Sequence, residues 1–144
     1  MSTQARDELV SKLVFQDGSQ KSDLLNPSLT QTTLIALLLD LVNKGHHIEI
    51  TAVKTDHDND SGLGLHCHYN GYCADLWPLG SATPGDYLSA ANPYFQQFLK
   101  DAAGSVWLHQ IGLAGTAWND ANVAAAGASA FHDDGADHVH LGSE

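Results

Sequence analysis

Residues 29–53 read LTQTTLIALLLDLVNKGHHIEITAV, and a change of rhythm inside this stretch sets the fold class. Residues 29–42 are strongly apolar over a length that suits a buried helix, and Lys44-Gly45 follows as a cationic last turn and a glycine stop. From His47 the rhythm becomes a period of two. Ile48 and Ile50 then share one face of residues 47–53, which predicts a strand. A core helix running directly into a strand marks an α+β domain.

Toward the N-terminus, Leu9, Val10, Leu13 and Val14 recur at helical spacing, so residues 5–14 read as a short opening helix that ends near Asp17-Gly18. Residues 18–28 are polar and contain Pro27. On the other side, residues 56–64 form a loop rich in Asp, Asn and Gly, and residues 74–77 read as a strand closed by Pro78. Asn92 and Pro93 place a cap residue and a first-turn proline ahead of a helix over residues 94–103, with Gly104 beyond its end. Residues 106–111 are a further strand candidate, and the alanine-rich residues 121–130 fit either a short helix or a loop. Residues 138–141 read as a terminal strand in which His138 and His140 share a side. The expected fold is therefore α+β, a small central antiparallel sheet with helices packed on one face.

At 144 residues the chain is expected to be a single domain over residues 1–144. That length buries roughly 70 % of the unfolded surface without disulfide staples. No apolar run approaches the ~20 residues of a membrane-spanning helix, so a soluble chain with no membrane partner is expected. Residues 1–8 lack the basic start and apolar stretch of a secretory signal, which predicts synthesis in the cytoplasm without a signal peptide. Seventeen acidic residues against six basic ones give a net charge of −11, too few cations for a phosphate-backbone partner, so nucleic acid is excluded. An anionic polymer would be repelled at long range and must be recognised locally, within a groove. Oligomeric state has no signature in the sequence. Cys67 and Cys73 are the only cysteines. A disulfide, a soft ligand pair and two buried small side chains are all open, and a reducing compartment favours buried, reduced thiols.

Two motifs carry chemistry: His68-Tyr69-Asn70-Gly71-Tyr72-Cys73-Ala74-Asp75 and Asp137-His138-Val139-His140. Two imidazoles and one carboxylate from these motifs are the ligand types that zinc accepts, and three protein ligands leave a fourth position for a water that the metal acidifies. Gly71, midway through the first motif, is where the backbone must turn tightly to bring both ends to one point.

At these residues the chain resembles the LAS metallopeptidases, the family named for lysostaphin, D-Ala-D-Ala carboxypeptidases and the sonic hedgehog signalling domain. Their pattern is HxxxxxxD followed later by HxH, supplied here by His68, Asp75, His138 and His140. The tighter pattern HxxGxAxD is matched at His68, Gly71 and Asp75, with Cys73 in place of the alanine. The resemblance implies a hedgehog/DD-peptidase-like fold in which His68, Asp75 and His140 bind Zn2+. Asp137 would serve as the general base and His138 would stabilise the oxyanion, roles that suit a carboxylate and an imidazolium at an amide under attack. A regular strand would point Asp137 away from both histidines, so a turn at Gly135-Ala136 must reorient it. Lys54 and His57 stand where such peptidases carry an arginine and are the expected binders of a substrate carboxylate. His66, Tyr69 and Tyr72 are expected to line the same site. The implied substrate is a peptidoglycan stem peptide or another small peptide, cleaved at a D-Ala-D-Ala or L-Ala-D-Glu type bond. A phage or prophage protein, released by lysis or carried in a virion, is the context that the resemblance implies.

The competing class is a non-catalytic zinc-binding module, hedgehog-like or a structural virion component. A third reading has no metal at all and a partner bound by the acidic surface. His46, His47, His109 and His132 read as surface or packing residues. Residues 56–62 alternate carboxylates as a calcium loop does, yet Ser61 at the sixth position and Cys67 at the twelfth break that pattern, leaving a solvated acidic loop. Trp77 and Trp107 are expected in the core.

Overall fold

The computed structural model describes residues 3–56, 67–80, 92–113 and 137–144, together with the backbone of residues 130–133. The chain opens with α1 (Thr3–Ser11), which stops earlier than its apolar spacing suggests. Val14 instead enters the two-residue strand β1 (Val14–Phe15), where a β-branched and an aromatic side chain suit a sheet edge. Next comes α2 (Gly18–Leu25), begun by a capping box in which the Asp17 side chain accepts from the Ser19 amide and Gln20 reaches back to the Asp17 amide. The Ser19 hydroxyl and amide hold the Asp17 carboxyl below its ordinary pKa. Asp17 and Gln20 are thus the signal for a helix in a stretch that reads only as polar.

The apolar run becomes α3 (Thr32–Asn43), and Gly45 beyond it adopts φ 93°. Strand β2 (Ile48–Ala52) follows with Ile48 and Ile50 fully buried, as their spacing predicts. Then come β3 (Cys73–Pro78) and α4 (Pro93–Ala103), whose first turn is capped by Asn92 Oδ1 accepting from the Tyr94 and Phe95 amides. Strands β4 (Gln110–Leu113), β5 (Ala130–Asp133) and β6 (Val139–Gly142) complete the order. Strand β4 begins later than expected: Trp107 precedes it in a turn and is 39 % exposed, whereas Trp77 is 2 % exposed. The core expectation holds for Trp77 and is corrected for Trp107, which lies outside the sheet.

All six strands form one sheet in the order β1-β2-β3-β6-β4-β5. Its inner four strands pair antiparallel, and the outer pairs β1·β2 and β4·β5 are parallel, so the α+β fold has an antiparallel centre with parallel margins. The last strand in sequence is central in space. Because β6 is bonded on both edges, Val139 and His140 of the second histidine motif sit inside the sheet, with Asp137 and His138 just before the strand.

Registers Ala74↔Leu141, Leu76↔Val139 and Ile111↔Leu141 put these apolar side chains on one face. There they join Leu9, Leu24, Leu34, Leu37, Leu38, Leu41, Phe95 and Phe98 from the helices in a single cluster. Each such fully buried side chain contributes about 1.5–3 kcal/mol relative to exposure. No helix among the described residues is long and apolar enough to cross a membrane.

Candidate metal centre

The opposite face of the same strands carries the polar groups. Registers Asp75↔His140, Gly112↔His140, Cys73↔Gly142 and Gln110↔Gly142 line up Cys73 and Asp75, His140 and Gly142, and Gln110 and Gly112 across three strands. A side chain at Gly142 would stand 2.6 Å from Cys73 Sγ and 3.1 Å from Gln110 Cβ, so only glycine lets these neighbours close over β6. His68 arrives from the turn before β3. Gly71 makes that turn with φ 79° and donates its amide to His68 O, and a Cβ there would lie 2.2 Å from Leu29 O.

Three ligand atoms meet on this face: His68 Nε2 lies 3.2 Å from Asp75 Oδ1 and 3.1 Å from His140 Nδ1, and His140 Nδ1 lies 3.0 Å from Asp75 Oδ1. All three residues are nearly inaccessible, at 1 %, 5 % and 5 % exposure. The other nitrogen of each imidazole tells which atoms carry protons. His68 Nδ1 is 2.6 Å from Val53 O, an acceptor only, so Nδ1 holds the proton and Nε2 presents a lone pair. His140 Nε2 is 3.2 Å from Gln110 Oε1, and Gln110 Nε2 donates to Glu144 O at 2.6 Å, which fixes the amide with its oxygen toward the imidazole. Nε2 of His140 therefore holds its proton, and Nδ1 presents a lone pair as well. With both imidazoles neutral, two lone pairs and a carboxylate oxygen converge within 3.2 Å.

Such a triangle is relieved by a proton on one imidazole, as an ion pair with Asp75, or by a metal ion at its apex. The fit to one is close: ligands 2.0–2.1 Å from a tetrahedral zinc stand about 3.3 Å apart. Histidine, histidine and carboxylate are a donor set that suits zinc, and a carbonyl on the far nitrogen of each imidazole is the usual way such ligands are oriented.

The supports of this cluster extend into the helices. Val53, whose carbonyl holds His68, donates its amide to Asp56 Oδ1 at 2.9 Å. Buried Asp23 on α2 accepts from the Lys54 and Thr55 amides at 3.1 and 2.8 Å, so α2 clamps the chain that positions His68. On the other flank, Gln31 N donates to Gly71 O at 2.9 Å, docking the turn on the segment before α3. Arg6 secures that segment, its guanidinium donating to Leu24 O, Thr30 Oγ1 and Thr30 O at 2.7–2.8 Å; burial lowers its pKa. Beyond β6, Ser143 donates through N and Oγ to Tyr72 O at 2.9 and 3.0 Å.

His138 stands at the cluster's edge, its Nε2 3.9 Å from Asp75 Oδ2 and its Nδ1 2.9 Å from Asp137 Oδ1. Asp137 is 71 % exposed at its side chain and lies behind His138 relative to Asp75. Lys54 Nζ donates to Tyr69 O and sits 4.5 Å above the Tyr69 ring, while Tyr72 is half-buried beside the turn. His57, His66 and the remainder of the acidic loop lie outside the described residues. His46 pairs with Asp101, and His47 and His109 are exposed, so none of these three joins the cluster.

The expectation of reduced thiols is corrected. Cys67 and Cys73 are buried, as anticipated, but joined by a disulfide with Cα atoms 5.3 Å apart. The turn itself brings them together: Tyr72 N donates to Cys67 O at 2.8 Å, which folds residue 67 back over residue 73. Sequence reasoning also missed Gln110 and Asp23. A lone glutamine within an apolar strand candidate was the available signal for the first, and Asp23 gave none beyond being an acidic residue in a polar stretch. No protein-family model, curated protein or solved structure matches this chain.

Proposed function

We propose that this chain is a zinc-dependent peptidase that hydrolyses an amide bond in a peptidoglycan stem peptide, of D-Ala-D-Ala or L-Ala-D-Glu type. The carrying observation is the convergence of His68 Nε2, Asp75 Oδ1 and His140 Nδ1 at 3.0–3.2 Å with the imidazole protons held on their far sides. The choice of substrate rests on the resemblance of the two motifs to LAS metallopeptidases alone. A zinc ion held there supplies Lewis acidity toward water and an amide carbonyl. His68, Asp75 and His140 hold the ion, and their burial excludes competing solvent.

Asp137 and His138 act as a unit. The carboxylate accepts from Nδ1, which directs Nε2 toward the cluster and stabilises the imidazole when it is charged. Neutral Nε2 would take the proton that the attacking water loses; the charged imidazole would then donate to oxygen at the developing tetrahedral centre and pass that proton to the leaving amine. For Asp137 to take a proton at the cluster directly, it would leave His138. Lys54, beside Tyr69 at the rim, supplies a cation for a substrate carboxylate.

The deep burial of the three ligands favours a second reading, a non-catalytic zinc module. Metal content by mass spectrometry on untagged protein, followed by hydrolysis of synthetic stem peptides, separates the two. The peptidase reading expects about one zinc per chain, lost in His140→Ala, and turnover that falls at least about 100-fold in Asp137→Asn with zinc retained. Zinc without turnover of either peptide type supports the module; no zinc in folded parent overturns both.

A further inference from the structure

We propose that Cys67, Cys73 and Nε2 of His140 form a second cation site, open only in the dithiol state and suited to a thiophilic ion such as zinc or cadmium. All three side chains are buried on the same face of the sheet. Cys67 Sγ lies 3.6 Å from His140 Nε2, Nε2 lies 3.2 Å from Gln110 Oε1, and Cys73 Sγ lies 3.9 Å from that oxygen. In a tetrahedral zinc set the sulfur–nitrogen and sulfur–oxygen edges are about 3.6 Å and the nitrogen–oxygen edge about 3.3 Å. Gln110 Oε1 thus stands where a fourth ligand belongs. These three edges lie within about 0.3 Å of the ideal set, and the sulfur pair is the edge that must change: two thiolates on one zinc stand about 3.8 Å apart, a separation that a disulfide of about 2.05 Å forbids.

Reduction supplies the missing geometry. A small dithiol gives two electrons and two protons, closing its own disulfide while the Cys67–Cys73 bond becomes two S–H groups. Binding of the ion then releases both thiol protons to water. His140 must offer Nε2, so its proton passes to Nδ1, where Asp75 Oδ1 at 3.0 Å accepts it. A histidine bound through one nitrogen and backed by a carboxylate on the other is a common arrangement around zinc. The two sites therefore exclude each other: the disulfide form presents Nδ1 to the cluster of His68 and Asp75, and the dithiol form presents Nε2 to sulfur.

The site shares His140 with the proposed peptidase centre but stands or falls separately, and cobalt(II) is the probe that shows this. Added to the disulfide protein, it is expected to give no thiolate-to-cobalt charge-transfer band; after reduction and removal of reductant without air, the band grows to one equivalent. It persists in His68→Ala, disappears in Cys67→Ser/Cys73→Ser, and weakens in His140→Ala with affinity lower by at least about tenfold. A folded, reduced parent without the band overturns the proposal. So does a band of undiminished affinity in His140→Ala, or a reduced protein whose near-ultraviolet circular dichroism is lost and not restored by cobalt. Cobalt bound with no sulfur band in either redox form leaves the peptidase centre standing alone. A sulfur band in the reduced form, with no binding by the disulfide form, leaves only this site.

Discussion

Two histidine–carboxylate contacts in this molecule differ in what they can do. His46 Nε2 lies 2.6 Å from Asp101 Oδ2, between the end of α3 and the side of α4, with Phe98 packed edge-on against the imidazole. His68 Nε2 lies 3.2 Å from Asp75 Oδ1. The first contact is an ordinary donor–acceptor pair, because no other acceptor among the described residues claims the His46 proton. In the second, Val53 O claims it, and the nitrogen facing the carboxylate is left as a second acceptor. What distinguishes a cation site from a structural pair is therefore the partner on the far nitrogen, not the near distance. This comparison can be broken by experiment, starting where the expected effect is greatest.

Zinc should stabilise the parent strongly and act on His68 without acting on His46. At free zinc about 1,000 times its dissociation constant the gain is ~4 kcal/mol, on the order of 10 °C in Tm. Thermal unfolding with and without a chelator is expected to show this shift in the parent and in His46→Ala, and no shift in His68→Ala. A shift surviving in His68→Ala would place the ion elsewhere.

Next in size is Gly71→Ala. The site depends on φ 79° and on a gap that a methyl group would fill, 2.2 Å from Leu29 O, whereas the His46 contact needs no unusual backbone. Forcing alanine there costs about 3 kcal/mol or more and moves His68 away from Asp75. Denaturant unfolding should register the loss, and zinc affinity should fall with it. A variant that unfolds as the parent does, with affinity intact, would show that the turn does not position the ligand.

How much of this was legible follows the physical range of each signal. Local rhythm identified α3, β2 and α4, since apolar spacing, Asn92, Pro93 and the glycine stops act within a few residues. The resemblance of the two motifs to the LAS pattern singled out His68, Asp75 and His140, which spacing alone permits without selecting, and the pairing of β3 with β6 is what brings Asp75 opposite His140. Tertiary pairing escaped. Val14 reads as helix until Glu49 offers it a strand partner, and Trp107 reads as strand although no neighbour among the described residues pairs with it. The outer partners escaped too: Val53 contributes a carbonyl, which any residue owns, and Gln110 acquires its role only because β4 lies beside β6.

Gln110→Leu tests that outer partner directly. It removes the acceptor of His140 Nε2 while filling similar volume, so the tautomer with Nδ1 deprotonated loses its support. Zinc affinity should drop about 10–100-fold, about 1.4–2.7 kcal/mol, and Gln110→Glu, which keeps an acceptor oxygen, should recover much of it. Isothermal titration of both variants reads the difference. Equal loss in the two would assign the effect to packing over Gly142.

The smallest effect belongs to the contact that serves as the reference. Asp101→Asn keeps an oxygen for His46 and removes only the charge, and His46→Ala removes the pair together with its contact to Phe98. A partly exposed pair of this kind is worth about 0.2–1 kcal/mol, so both variants should unfold within about 1 kcal/mol of the parent and bind zinc unchanged. The pair occupies the end of the sheet near Ile48 and Pro78, where it ties α3 to α4 along the rim of a groove of about 630 Å³. If its loss lowered zinc affinity, the histidines would be coupled through α3, and the far-nitrogen rule would not suffice to separate structure from chemistry. If it changes stability alone, two histidines with the same near partner will have been told apart by what lies behind them.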